Sequence, residues 1–351
     1  MADMMTDLGS AHINQAPEQV GIEITNRCDL ACRHCFNHSG EGELEELSRR
    51  DLQELFGQLS GMGVTRVRLS GGEPTRHPDF TQIILDAQKC GLGVTINTHG
   101  IFSDARCEAF AQLPVEQWIL SLDGLQAAND QIRGKGMFDR AVANATRLKQ
   151  LGQAVQLGVH LCRLNKSDVP GLINLASDLG VDIKFSPLRP IGRAVSEMAD
   201  QFLMPVEFYR CVQTITRLRA SLSHIRITTD FDILQPVDPS THPTLKPPTC
   251  PAGRSMLNVN YDGFVYPCAF LVTLDRAFAA GRVQDASLSS LWRGAPVFQL
   301  FRALVKEDAC QKCFAYRQTC TGGCLAVSYV LTGRLEPRDP TCFIHELNRS
   351  V

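Results

Sequence analysis

The chain has 351 residues, enough for one large domain and a smaller one. Its 35 basic and 37 acidic residues nearly balance, which excludes the strongly basic surface that nucleic-acid or membrane binding requires. No basic region leads into an apolar run at the start, and no apolar run could span a bilayer. We therefore expect a cytoplasmic protein with no nucleic-acid and no membrane partner.

The cysteine content is the unusual feature of the composition. Fourteen cysteines in a chain without a secretion signal favour metal or redox chemistry over a framework of disulfides. Three of them lie between residues 28 and 35, and seven lie between residues 250 and 342. Two metal-binding regions are predicted.

Strand and helix patterns alternate from about residue 18 to residue 235, after a polar tail at 1–17. The alternation predicts right-handed β-α-β units and a parallel sheet, either doubly wound or closed into part of a barrel. Such sheets place their active sites at the carboxyl ends of the strands. The candidate strands are VGIEIT, VTRVRLS, GLGVTINT, EQWILSL, AVQLGVHL and VDIKFSP.

A second domain is predicted over residues 236–351, beginning with a linker rich in proline. Beyond the linker, the segment SMLNVNYDGFVYPC has alternating strands around Asp262-Gly263, which is a hairpin pattern. The segment SLSSLWRGAPVFQLFRAL predicts an amphipathic helix with a break near Gly294 to Pro296. The last cysteines follow this helix.

The first cysteine group, Cys28, Cys32 and Cys35, has the spacing CxxxCxxC directly after the first predicted strand. Three thiolates on so short a loop can converge on one metal centre. A four-iron cubane needs four ligands, so three cysteines would leave one iron open to another molecule. The alternative is a zinc site, which would need a fourth protein ligand such as His34 or His38.

A second motif, Gly71-Gly72-Glu73-Pro74, follows the second predicted strand. The two motifs in this order resemble the radical S-adenosylmethionine (SAM) superfamily. The resemblance implies a partial (β/α)6 TIM-like barrel, a [4Fe-4S] cluster that binds SAM through its open iron, and a 5′-deoxyadenosyl radical that abstracts hydrogen. It also implies an electron donor such as flavodoxin or ferredoxin.

Strand parity predicts which residues face the interior of the barrel. On the fifth strand, one face carries Val155, Leu157, Val159 and Leu161, and the other carries Gln156, Gly158, His160 and Cys162. The same parity points polar side chains inward on other strands, namely Glu23, Thr25, Arg68, Ser70, Thr95, Asn97, Lys184 and Ser186. A polar interior suits a cofactor and substrate cavity, whereas a purely structural barrel would fill it with branched apolar residues.

The resemblance also implies contacts to SAM near the two motifs. The turn Gly71-Gly72-Glu73 would offer backbone and carboxylate partners to the methionine ammonium. His34, which precedes the third cysteine, would lie near the adenine.

Three further SAM contacts are implied by resemblance. Ser121 in SLDG and Arg133 in IRGKG resemble the residues that meet the ribose and the methionine carboxylate, and Asn97 in NTHG is expected at the ribose. The alternative is that Asp123-Gly124 and Gly134 are turn residues and that Arg133 is a surface charge.

The C-terminal cysteines resemble the SPASM domain, an extension of radical SAM enzymes that holds auxiliary iron–sulfur clusters. The gap between Cys313 and Cys320 is six residues where five is usual. The resemblance implies an outer cluster on Cys310, Cys313, Cys320 and Cys342, and an inner cluster on Cys250, Cys268 and Cys324 that lacks an obvious fourth cysteine. The alternative is a zinc ribbon.

Two single residues narrow the reaction. Ala269 follows the second SPASM cysteine, where sulfatase-maturing members carry a catalytic aspartate, so formylglycine formation is disfavoured. Cys162 is a candidate hydrogen-atom donor of the kind that epimerising radical enzymes use. The alternative for Cys162 is a packing role.

The function expected from this resemblance is modification of a ribosomally made peptide by oxidation or cross-linking, with a separate peptide-recognition protein as a possible partner. One alternative is an oxidase or epimerase of a small molecule such as a sugar, an antibiotic or a porphyrin-type precursor. A second alternative is a non-catalytic zinc-binding or iron-sensing protein.

Overall fold

The structure is a computed structural model that describes residues 16–41, 44, 46–230, 250–313, 315–316, 320–342 and 344. Most of the predicted tail at 1–17 and of the linker from 236 onwards lies outside the described residues. The predicted domain boundaries therefore stay predictions. Within the described part of the chain, none of the helices combines the length and apolar composition needed to cross a bilayer.

One nine-stranded sheet organises the molecule, in the order β7-β6-β5-β4-β3-β2-β1-β8-β9. Strands β1 to β7 are mutually parallel neighbours, and β8 pairs parallel with β1. All six predicted strands are present. The strands are β1 Gln19–Glu23, β2 Arg66–Ser70, β3 Gly93–Thr98, β4 Gln117–Ser121, β5 Val155–Leu161, β6 Asp182–Pro187, β7 Ile227–Thr229, β8 Met256–Val259 and β9 Val265–Tyr266.

Local sequence signals such as capping residues set where the connecting helices begin and end. The first helix starts after Ser48, whose hydroxyl and Asp51 form a capping box, and it buries four apolar residues at helical spacing. The helices are α1 Arg49–Gly61, α2 Phe80–Lys89, α3 Asp104–Phe110, α4 Gln126–Arg133, α5 Met137–Gln150, α6 Val169–Leu179, α7 Ala194–Glu197, α8 Pro205–Arg219, α9 Leu288–Gly294, α10 Pro296–Ala303, α11 Asp308–Gln311 and α12 Leu325–Thr332.

The C-terminal hairpin is present and extends the barrel sheet. Strands β8 and β9 are antiparallel around Asp262-Gly263, as predicted. The parallel pairing of β8 with β1 was not predicted, because it joins segments more than 230 residues apart and leaves no local signal. The hairpin between Cys250 and Cys268 is therefore paired directly with the strand that precedes Cys28.

The two faces of the sheet differ in the way that strand parity predicts. One face packs against helices, and its side chains on β5, Val155, Leu157, Val159 and Leu161, belong to the main core. We call the other face the lumen face. Its side chains on β2, β3, β4 and β6 are half-buried or exposed, in strict alternation with buried neighbours. An accessible lumen face is thus confirmed on these four strands, whereas Glu23, Thr25 and Gln156, which have the same parity, are buried.

Cys162 departs from the accessible character of the lumen face. It follows the last residue of β5, is 1% exposed, and packs in a small apolar cluster with Ile132, Leu188, Ala194 and Met198. Burial raises the pKa of its thiol to about 11. These surroundings favour the packing alternative, and the hydrogen-donor role stays a prediction.

Glu23 joins three parts of the fold at the end of β1. Its carboxylate accepts hydrogen bonds from the side chain of Asn37, on the loop after β1, at 2.7 Å and from that of Asn258, on β8, at 3.2 Å. Burial raises the pKa of Glu23 to about 7, and the two amide bonds only partly oppose that shift. The folded protein therefore prefers the protonated carboxyl over much of the range below neutral pH.

Replacing Glu23 with Gln should flatten the pH dependence of stability. Because the folded pKa of about 7 lies above the usual 4.5, the stabilisation from this group is complete below about pH 4.5 and is lost as pH rises to about 7. The stability of Glu23→Gln relative to the native chain should rise over that window by on the order of 3 kcal/mol. Anaerobic thermal unfolding at pH 4.5, 5.5 and 7 measures it.

The control is Glu54→Gln, which removes an exposed carboxylate paired with Arg50 on α1. This variant should follow the native pH profile. The same profile in Glu23→Gln would contradict the assignment of the titration to Glu23.

Candidate active site

The first three cysteines lie on the loop that follows β1, at the carboxyl edge of the parallel strands. Burial raises the pKa of Cys28 to about 12, and the charges of Glu73, Cys32 and Cys35 add to the shift. Burial also raises the pKa of Cys32. The thiols are thus close enough to act on one another, and a metal that binds thiolates would offset the cost of ionising them together.

The Gly-Gly-Glu turn packs directly against the start of this loop. The Gly72 amide donates to the Thr25 carbonyl at 2.8 Å, and the Glu73 amide donates to the Arg27 carbonyl at 2.7 Å. A Cβ on Gly72 would lie 2.2 Å from the Arg27 oxygen, and one on Gly71 would lie 2.3 Å from the Thr25 oxygen. Only glycine allows this approach, so the two sequence motifs form one structural unit.

The side chain of Glu73 is completely buried and held by its own chain. One carboxylate oxygen accepts from the Thr98 hydroxyl at 2.7 Å and the Thr75 amide at 3.1 Å, and the other accepts from the His99 amide at 2.8 Å. A carboxylate oxygen can accept two bonds, so the second oxygen retains capacity for another donor. This oxygen could therefore accept the ammonium contact that the resemblance implies.

A buried carboxylate, Asp123, organises the other side of the loop. Its Oδ2 lies 2.6 Å from Arg133 Nε and 2.9 Å from His34 Nε2, and its Oδ1 accepts from the His160 amide at 2.6 Å. The Arg133 guanidinium also reaches within 3.9 Å of the Cys32 sulfur. Arg133, the last residue of α4, is therefore part of the site and not a surface charge.

The charges of this cluster are matched. Burial opposes ionisation of Asp123, but Arg133 and His34 outweigh it and hold the pKa of the carboxyl well below its usual range. Burial lowers the pKa of His34, with Asp123 opposing. His34, Asp123 and His160 lie close enough to hold a metal ion, but Arg133 already neutralises the carboxylate, so we assign no metal there.

Arg193 is a second buried guanidinium that the sequence analysis missed. Its amide donates to the Cys35 carbonyl at 3.0 Å and its side chain reaches Glu41 at 3.0 Å. The preceding Gly192 has φ +63°, and a Cβ there would lie 2.4 Å from the Cys35 oxygen. A Gly-Arg pair after a strand was the available signal, but nothing local connects it to Cys35.

The C-terminal cysteines fall into two neighbouring groups. Burial raises the pKa values of Cys250 to about 11 and of Cys268 still further, and the charge of Cys324 adds to both shifts. In the second group, burial raises the pKa of Cys310 to about 11, with contributions from Cys342 and Cys320. These are the groupings that the resemblance implies, although their ligand roles stay predictions.

Cys313 belongs to the second group, because it packs with Cys320 and Cys342 around Ala315 and Ile344. The charges of Cys342 and Cys313 also contribute to the raised pKa of Cys320, after burial.

Asp339 and Lys306 lie between the two groups and were not predicted. Asp339 is buried, accepts from the Cys324 amide at 2.8 Å through its side chain, and accepts from the Cys342 amide at 3.0 Å through its carbonyl. Lys306 is 4% exposed, and its ammonium donates to the Pro337 carbonyl at 2.8 Å. Burial lowers the pKa of Lys306, while the charges of cysteines from both groups oppose that shift.

Comparison with known proteins agrees with this arrangement. The profile of the Radical SAM superfamily matches residues 22–176, and that of the Iron-sulfur cluster-binding domain SPASM matches residues 250–314. Mycofactocin maturase MftC of Mycobacterium tuberculosis H37Rv is 32% identical over 332 residues, which cover 93% of this chain and 83% of that protein. This chain belongs to the radical SAM superfamily. It is a radical SAM enzyme with a SPASM domain.

A second relative is the PqqA peptide cyclase of Methylorubrum extorquens PA1, 29% identical over 97% of this chain and 88% of its own length. Solved radical SAM structures share the fold. Streptococcus suis SuiB bound to precursor peptide SuiA aligns over 94% of this chain and 76% of its own, with a TM-score of 0.78 and 18% identity. Native anSMEcpe with bound AdoMet aligns over 94% and 95%, with a TM-score of 0.75 and 16% identity. The expected partial barrel is confirmed.

Membership of this superfamily gives the chain a [4Fe-4S] cluster that binds SAM, and its SPASM domain gives it auxiliary iron–sulfur clusters. The site residues fit these groups. His34 Nδ1 and Asn97 Oδ1 are buried atoms without a partner among the described residues, and both belong to side chains expected to contact SAM. Ser121 ends β4, half-buried, and its hydroxyl has no hydrogen bond within the described chain.

Replacing Asp123 with Asn should weaken SAM binding. The variant keeps the side-chain shape but removes the charge that fixes Arg133 and His34, and its amide nitrogen would face a donor. We expect the dissociation constant for SAM to rise about 10- to 100-fold, because Arg133 is the expected partner of the methionine carboxylate. Anaerobic equilibrium dialysis of the reconstituted protein measures the change.

A matched control is Glu108→Gln, which removes an exposed carboxylate paired with Arg147. Its affinity for SAM should equal that of the native chain. Native affinity in Asp123→Asn would show that Arg133 is positioned without this carboxylate.

Proposed function

We propose that this enzyme modifies a ribosomally made peptide by radical abstraction of hydrogen, followed by oxidation or cross-linking. The observation that carries the proposal is the match along almost the whole chain to a mycofactocin maturase and a PqqA peptide cyclase. The accessible, polar lumen face supports it, because an inserted peptide segment needs an open and hydrogen-bonding interior.

The proposed ligand sets follow the cysteine groups. Cys28, Cys32 and Cys35 would hold the SAM-binding cluster; Cys250, Cys268 and Cys324 the inner auxiliary cluster; and Cys310, Cys313, Cys320 and Cys342 the outer one. When bound, the first cluster and SAM supply the 5′-deoxyadenosyl radical, and the auxiliary clusters supply one-electron acceptors.

The residues of the chain bind and orient the cofactor in this proposal. The Gly71-Gly72-Glu73 turn offers acceptors to the methionine ammonium, and Arg133, fixed by Asp123, meets the methionine carboxylate. Asn97 and Ser121 face the ribose and His34 faces the adenine. The substrate radical left by hydrogen abstraction must lose an electron to give an oxidised product, so we propose electron relay as the role of the C-terminal cysteines.

Two partners and the location complete the proposal. A flavodoxin or ferredoxin would deliver the electron, and a separate peptide-recognition protein would present the substrate. The reducing conditions that such thiol ligands require suit the cytoplasm.

The direct test uses a short peptide encoded beside the gene for this chain, made synthetically. The reconstituted enzyme is incubated anaerobically with SAM, a reductant and the peptide, and 5′-deoxyadenosine and the peptide mass are followed. A loss of two hydrogens, or another defined mass change, that scales with 5′-deoxyadenosine supports the proposal. Turnover of a sugar or porphyrin-type precursor with an unmodified peptide would favour the small-molecule alternative instead.

Replacing Cys28, Cys32 and Cys35 together with Ala should abolish 5′-deoxyadenosine formation. The open iron would be lost, while the C-terminal cysteines are untouched, so iron and sulfide should fall by about four each per chain and not to zero. Metal analysis and product chromatography measure both effects. The control is Cys107→Ala, a buried core cysteine outside the three groups. Continued cleavage of SAM by the triple variant would refute the ligand assignment.

Replacing Lys306 with Met should make the auxiliary clusters harder to reduce. The buried ammonium lies among cysteines of both groups, and a positive charge stabilises the added electron. We expect a more negative reduction potential for at least one auxiliary cluster, measured by an EPR-monitored redox titration. Lys89→Met, an exposed charge on α2, is the control and should leave the potentials unchanged.

A further inference from the structure

Arg68 is a cation on the lumen face without an ion-pair partner among the described residues. Arg68 lies at the centre of β2, between the buried Val67 and Leu69, so its side chain shares the face opposite the helices. The Arg68 side chain makes no hydrogen bond or ion pair with any residue that the structure describes. Its register neighbours are Gly21 on β1 and Thr95 on β3, which are small and leave space around it.

Other charged residues on the lumen face have partners among the described residues. Lys184 on β6 pairs with Asp230 at 2.7 Å, and the Ser186 hydroxyl donates to the same carboxylate. Asp182 pairs with Arg226. Glu23 is held by two amides, as described above. Among the described residues of this face, Arg68 is thus a cation with no ion-pair partner.

The Arg68 side chain is exposed to solvent in the lumen, so its charge is open to a ligand. Partial desolvation by the surrounding protein still costs free energy and lowers the pKa of the guanidinium, while the negative charge of Asp230 opposes the shift. A guanidinium stays protonated in proteins, so it cannot relieve the cost by losing a proton. A bound anion would relieve it, and the planar fork of a guanidinium matches the two oxygens of a carboxylate.

We infer that Arg68 anchors a carboxylate of the substrate on the lumen face. The inference rests on the proposed function and specifies its substrate class: a peptide that inserts a carboxylate, either its C-terminus or an acidic side chain, into the barrel. Arg68 lies three residues before the Gly-Gly-Glu turn, which is about 10 Å along the strand. The cofactor would therefore lie at the level of the turn, and the substrate carboxylate would lie at the level of Arg68.

The test compares charged and neutral probes on the reconstituted enzyme saturated with SAM. The probes are acetyl-Gly-Gly with a free carboxylate, acetyl-Gly-Gly amide, and acetyl-Glu-Gly amide, titrated anaerobically by ligand-observed NMR. We expect one carboxylate probe to bind about 10- to 100-fold more tightly than the neutral amide. A preference for the first probe indicates the C-terminus, and a preference for the third indicates an acidic side chain.

Variants of β2 assign the preference to one residue. Arg68→Gln should remove the preference, and Arg68→Lys should keep part of it, because lysine retains the charge but not the fork. Arg66→Gln is the matched control: Arg66 lies on the same strand and face but pairs with Glu116 at 2.9 Å and is largely exposed. This control should keep the full preference.

Equal binding of all three probes would overturn the inference, as would a carboxylate preference that survives in Arg68→Gln. A loss of SAM affinity in Arg68→Gln would also overturn it, by assigning the guanidinium to the cofactor. The proposed function fails separately: an Arg68-dependent preference in an enzyme that modifies no peptide supports the carboxylate site and contradicts the maturase, whereas peptide modification without the preference contradicts only the site.

Discussion

Two backbone hydrogen bonds between the segment before Cys28 and the Gly-Gly-Glu turn are the constraint on which the site depends. They require glycine at residues 71 and 72, because any side chain would collide with the carbonyl oxygens that accept the bonds. The cysteine loop is thereby held at a fixed height above the sheet, next to the buried Glu73. The residues expected to contact or support the cofactor lie around that contact. Asp123 and Arg133 lie on one side of it, and Thr98 and His99 lie on the other.

The same edge of the sheet carries the second set of cysteines. Because β8 pairs with β1, the hairpin that precedes Cys268 is an extension of the barrel and not a separate body. Glu23 strengthens this junction, since its carboxyl bonds one amide from the cysteine loop and one from β8. A carboxyl buried there costs free energy when ionised, and the two amide donors offset part of that cost.

Local signals were sufficient for most of the fold and for the cysteine motifs. Six strands, the hairpin and the broken helix before the last cysteines each have a strong period or turn signal, and parity correctly separated the core side of β5 from its lumen side. Helix α4 was missed because only a few of its residues are buried, which leaves little periodicity. Its last residue, Arg133, is predicted by resemblance, whereas Asp123, which fixes it, enters the sequence analysis only in the alternative, as a turn residue.

The residues that were missed share a physical cause. Arg193, Lys306 and Asp339 are buried charged residues, and what makes them functional is a neighbour far away in the sequence. Burial of a charge is tolerated only with partners, so such residues mark places where distant segments converge, which no local pattern encodes. The converse applies to Arg68, where parity predicts the position but only the contacts show that the charge has no ion-pair partner among the described residues. An arginine on the lumen face without an ion-pair partner among the described residues is where a negatively charged ligand would complete the pairing.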